Sequence, residues 1–73
     1  MKPWWIAGTT LTLSGPRSYK IMGGYSFDEV QHNLVFCHRE GDTVDTITSP
    51  DGVEMTESEF HRRWQAESSK HGA

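Results

Sequence analysis

The segment Met55-Thr56-Glu57-Ser58-Glu59-Phe60 constrains this chain more than any other, because it specifies a helix start in two independent ways. Thr56 and Glu59 have the Thr-x-x-Glu spacing of a capping box, while Met55 and Phe60 stand at the N′ and N4 positions of a hydrophobic staple. Glu57 and Glu59 put negative charge in the first turn, where the helix dipole favours it, and Arg62, Arg63 and Lys70 follow toward the other end. A terminal helix over 57–67 is expected. Phe60 and Trp64, four apart, form its buried stripe, with Glu57/His61 and Glu59/Arg63 as i,i+4 pairs on the wet side. Residues 68–73 read as a disordered tail.

Upstream the pattern is β-like. Thr9 to Leu13 alternates, with Leu11 and Leu13 on one face and Thr10 and Thr12 on the other. Ser14-Gly15-Pro16-Arg17 has turn composition, and Ser18 to Met22 resumes the period of two, so a hairpin follows. Gly23-Gly24 then breaks or sharply bends the second strand. Tyr25 to Asn33 admits two readings: Ser26-x-x-Glu29 could cap one helical turn, and His32-Asn33 could close a β-turn. A loop with a short strand is the favoured one. Leu34 to Arg39, short and rich in β-formers, reads as the central strand. Thr43 to Thr48 is a polar strand whose alternation slips between Val44 and Ile47, which a bulge or an edge position would explain. Ser49-Pro50-Asp51-Gly52 suits a type I turn, returning the chain through Val53-Glu54-Met55 to Thr56.

The fold class expected from this order is α+β, a small strongly bent antiparallel sheet or SH3-like barrel of 4–5 strands with one C-terminal helix. A single domain is expected: an N-terminal aromatic arm over 1–8, a β-rich body over 9–55, the helix and the tail. The string Gly8-Thr9-Thr10-Leu11-Thr12-Leu13-Ser14-Gly15-Pro16-Arg17, followed by Tyr19-Lys20-Ile21-Met22-Gly23, resembles the opening of small bacterial YodC-like proteins. The segments Leu34 to Gly41 and Glu54 to Phe60 are similar to that family's central strand and final anchor. The resemblance implies a compact SH3-like fold with no assigned catalytic residue, and so transfers fold rather than function.

Composition narrows function by exclusion. With seven Lys and Arg against ten Asp and Glu, the chain carries a formal charge of −3, a poor match for a protein that tracks phosphates with clustered cations. The single Cys37 cannot form an internal disulfide, which fits a reducing interior. The apolar run at the N-terminus is too short for a signal sequence or a membrane span, so a cytoplasmic setting and no membrane partner are expected.

The chemistry-bearing residues give no catalytic constellation. Cys37 and His38, read as neighbours on a strand, point to opposite faces and cannot share one ion with His32 and His61. A Cys/His/Asp nucleophile built on Cys37 with Asp42 or Asp45 needs a shaped pocket that 73 residues scarcely enclose beside a core. Neither enzyme activity, metal nor cofactor is expected. Three Trp, two Tyr and three Phe exceed what a small barrel can bury, and exposed aromatics beside charges are typical of protein interfaces. The expected partner-binding set is Trp4, Trp5, Tyr25, Phe27, Asp28, Glu29, Arg39 and Asp42. The function expected from it is that of a non-catalytic binding module, a small regulator or phage-type inhibitor of a larger protein or protein–nucleic-acid assembly. The alternative is an SH3-like nucleic-acid accessory protein using Arg17, Lys20, Arg39, Arg62 and Arg63. A homodimer would follow if the strand over 43–48 paired with its copy.

Overall fold

Six elements follow one another: β1 (Trp4–Thr12), β2 (Gly15–Gly24), α1 (Phe27–Arg39), β3 (Thr43–Thr48), β4 (Glu54–Met55) and α2 (Glu57–Gly72). The structure, a computed structural model, describes the backbone of residues 1–72 and the side chains of residues 1–67. The helix expected to end at 67 runs on to Gly72, and of the tail expected over 68–73 only residue 73 lies outside the described backbone. The fold is α+β: one open, four-stranded antiparallel sheet in the order β2-β1-β3-β4.

Two further expectations are corrected. Leu34 to Arg39 is not a strand but the second half of α1, so a second helix takes the place of the supposed central strand and the loop before it. Ser26 caps it, its hydroxyl accepting from the Glu29 N–H at 3.2 Å, and the Glu29 carboxylate accepts in return from the Tyr25 N–H at 2.7 Å. Phe27, Val30, Leu34 and Cys37 recur at three- and four-residue intervals, and the last three are buried; that is helical periodicity, with a partly buried Phe27 joining the core. Trp4 to Gly8, expected as an arm, are instead the first half of β1, the strand that pairs on both sides with β2 and β3.

The sheet's irregularities fall where the sequence slips. Ala7 pairs with Thr46 and Gly8 with Val44, leaving Asp45 as the extra residue of a bulge in β3. Trp4 pairs with Gly24 and Trp5 with Met22, so Gly23 is the extra residue in β2. β3 is interior only at Ile47 and Thr48, where β4 pairs with it; Thr43 to Thr46 pair with β1 alone.

Both helices cover the face that carries Trp4, Ile6, Ile47 and Met55, and these four pack with Val30, Leu34 and Phe60 as the core. Its centre is aromatic: Trp4 meets Phe27 at 5.1 Å and Phe60 edge-on at 5.5 Å, and Phe27 stacks on Phe60 at 5.8 Å. The helix start at Thr56 forms as its sequence specifies. The Thr56 N–H donates to Glu59 Oε1 at 3.1 Å, the Glu59 N–H donates to Thr56 Oγ1 at 3.2 Å, and Met55 and Phe60 are both buried. The Thr56 N–H, and the Thr56 hydroxyl that also donates to Glu59 Oε1 at 3.1 Å, hold the Glu59 carboxyl below its usual range.

Candidate functional site

Apart from Leu13, Ile21 and Val53, which stand singly, and Met1 at the chain start, the exposed large apolar groups among the described side chains fall on two surfaces, on opposite sides of the molecule. The first is the outward face of α1. The buried stripe at 27, 30, 34 and 37 fixes the helix rotation, so positions 28, 29, 32, 35, 36 and 39 turn away from the sheet, and all six are exposed. Val35 and Phe36 stand at the middle of this face, 47% and 57% exposed, and Tyr25, just before the helix, is 48% exposed. A solvent-facing Phe beside a Val lowers no free energy for the isolated monomer.

The polar groups around these two are partly committed to structure. Asp28 Oδ1 accepts from the Trp64 indole N–H at 3.2 Å, tying α1 to α2. Glu29 holds the Tyr25 backbone, and the pair Asp28 and Glu29 sits at the positive end of the helix dipole, with His38 and Arg39 at the negative end. Asp28, Glu29, His32 and Asn33 line a shallow groove of about 380 Å³ on this side. At the far end the His38 imidazole lies 2.8 Å from Glu57 Oε1, and His61 lies 3.4 Å from Glu57 Oε2, joining the last turn of α1 to the first of α2.

The second surface is the sheet face that the helices leave bare. Strand alternation puts Trp5, Ala7, Thr9 and Leu11 of β1 there, with Met22 and Lys20 of β2 beside Trp5 and Ala7. Trp5 is 36% exposed, Met22 50% and Leu11 78%. The Lys20 ammonium lies over the Trp5 ring, 5.1 Å from its centroid.

The expected partner-binding residues therefore separate into four places. Tyr25, Asp28, Glu29 and Arg39 gather along the exposed side of α1. Trp5 faces the other way, on the bare sheet. Trp4, 5% exposed, and the partly buried Phe27 belong to the core, so no surface role falls to Trp4; Asp42 follows α1 in the loop to β3, half-buried. Sequence reasoning missed Val35 and Phe36, because a strand reading of Leu34 to Arg39 assigned their hydrophobicity to a core, and it weighed His32 only in a turn and as a metal ligand. The Ser26 cap together with the Phe27–Val30–Leu34–Cys37 spacing was the signal that could have found them.

Beneath α1 the half-buried Tyr19 adjoins the buried Cys37. The Tyr19 hydroxyl donates to the Thr43 carbonyl at 3.0 Å. Burial first, then the adjoining Cys37 thiol and the charges of Asp42 and Asp45, push the phenol well above its ordinary range. The buried Cys37 is thus a packing group at the α1–sheet junction. Among the described residues no group of three or more His, Cys, Asp or Glu side chains is arranged to hold a metal ion, and no helix is long and apolar enough to cross a membrane. No family model, no curated protein and no solved structure matches the chain.

Proposed function

We propose that the chain is a non-catalytic protein-binding module, a small regulator or phage-type inhibitor that docks on a larger assembly through the outward face of α1. The observation that carries this reading is the pair Val35 and Phe36, held about half exposed on the side of a helix opposite its core stripe. A helix laid into a groove is read through residues at i, i+3, i+4 and i+7, and His32, Val35, Phe36 and Arg39 have that spacing. Aromatic and Arg side chains at such positions carry most of the binding energy in known interfaces. Tyr25 and the acidic first turn would form the rim.

Affinity capture with tagged protein from host lysate, at low and at high salt and with nuclease treatment in parallel, tests the reading. A defined protein assembly should be recovered at both salts, and Phe36→Asp should abolish its recovery while the variant remains folded by circular dichroism. Recovery unchanged by Phe36→Asp and Val35→Asp would overturn the assignment of this face. The second reading, a nucleic-acid accessory of SH3-like type, has one feature in its favour: Arg17 and Lys20 lie on a hairpin without a single acidic residue. Material lost to nuclease, with retention falling steeply as salt rises, would select it.

A further inference from the structure

The bare sheet face lies across the molecule from α1 and calls for an occupant of its own. Its free edges are poorly suited to strand addition, since β2 carries Pro16, Arg17, Lys20 and a bulge at Gly23, β4 is only two residues long, and the open stretch of β3, Thr43 to Thr46, is broken by the bulge at Asp45. What remains open is the flat of the sheet, with Trp5, Met22 and Leu11 exposed on it. Its charges are segregated across the strands. Residues 1–25, which include both strands of the β1–β2 hairpin, hold Lys2, Arg17 and Lys20 and no acidic group, whereas all ten Asp and Glu lie between 28 and 67. On the bare face itself Lys20 stands on β2 at one edge, and Asp45, accepting from the Thr9 hydroxyl at 3.3 Å, stands further in on β3. Glu54, paired with Thr48 and so level with Trp5, stands on β4 at the other.

We infer that a second copy of this chain covers this face, stacked by a two-fold axis that runs along the strands between β1 and β3. Such an axis reverses the strand order from one sheet to the other, so β2 of each copy lies over β4 of the second. Lys20 then faces Glu54 of the second copy, twice by symmetry. The two are offset along the strands by two residues, or about 7 Å, a distance their long side chains span between sheets about 10 Å apart. Trp5, on β1 beside the axis, meets Trp5 of the second copy. A two-fold axis across the strands would instead stack one acid-free hairpin on the other and bring like charges together, a repulsion that the charge segregation selects against. Arg62 and Arg63 of α2 line a pocket with Glu54 and Glu59 at the β4 edge, so Glu54 stands between these cations of its own chain and Lys20 of the second copy. Strand dimensions give a face of roughly 450 Å² per copy. Together the two faces bury about 900 Å², at the low end for specific association, and the dimer forms in the micromolar range.

Sedimentation equilibrium from about 5 to about 500 µM, at low salt, reads the proposal directly. A reversible dimer is expected, weakened about tenfold by Lys20→Glu or by Glu54→Lys alone, and restored to within about threefold when both are combined, since the swap regenerates the pair. Phe36→Asp, on the other side of the molecule, should leave the dimer intact, so that loss of this inference and loss of the α1 reading are separately visible. A chain that stays monomeric throughout, a double variant no better than the singles, or a dimer abolished by Phe36→Asp would each overturn it.

Discussion

Gly8 shows how a single residue decides the middle of this sheet. The bulge at Asp45 brings the β3 backbone against β1 at this point, and a Cβ at position 8 would overlap the Thr43 carbonyl and press on the Tyr19 hydroxyl. Gly8→Ala is expected to cost about 3 kcal/mol or more, because backbone rather than a flexible side chain must yield; a thermal melt lowered by more than ten degrees or so would register it. The neighbouring Tyr19 gives a pH prediction. Its phenol is raised above its ordinary value in the folded state and titrates near 10 when unfolded, so its contribution is complete below about pH 10 and is lost as pH rises beyond. Tyr19→Phe should lose about 1 kcal/mol at neutral pH with the bond to Thr43 and show a flatter alkaline limb in denaturant titrations. An alkaline limb identical to that of the parent protein would refute this.

At the scale of elements, α1 is where sequence pattern and structure part company. Leu34, Val35 and Phe36 are consecutive apolar residues, which a strand and a helix accommodate equally well over so short a run. In the helix they diverge: Leu34 is 1% exposed, and its two neighbours face water. Leu34→Ala should therefore cost about 2–4 kcal/mol in denaturant unfolding, the range for a buried leucine, and Phe36→Ala only a few tenths. Equal losses at the two positions would argue for a strand there. The other elements were legible because their signals are local. The capping box and staple at Met55–Phe60 close within one turn, the Ser49–Gly52 turn closes with the Gly52 N–H donating to the Ser49 carbonyl at 2.9 Å, and the slip in Thr43–Thr48 marks its bulge. Of the residues expected to bind a partner, Tyr25, Asp28, Glu29 and Arg39 came together on one surface, whereas Trp4 was lost to the core because the count of aromatic residues says nothing about which of them points inward.

For the whole molecule, the two helices on one side of the sheet leave two apolar surfaces back to back, the exposed side of α1 and the bare face around Trp5. Burial of Trp4, Ile6, Val30, Leu34, Ile47, Met55 and Phe60 holds the layers together, and neither exposed surface contributes to that core, so variants at Phe36 and at Lys20 should leave the fold intact while separating the two binding events. The sequence by itself determined the hairpin, the β3 bulge, the returning turn to β4 and the start of α2, since each rests on sterics and hydrogen bonds among residues close in the chain. Only the tertiary structure decided that Leu34 to Arg39 is helical, that Trp4 lies inside while Trp5 lies outside, and that one sheet face stays uncovered. Those outcomes depend on which apolar groups find partners far away in sequence. Local pattern states how hydrophobic a stretch is, but burial against Phe27 and Phe60 of two different helices is what fixes the side on which it is spent.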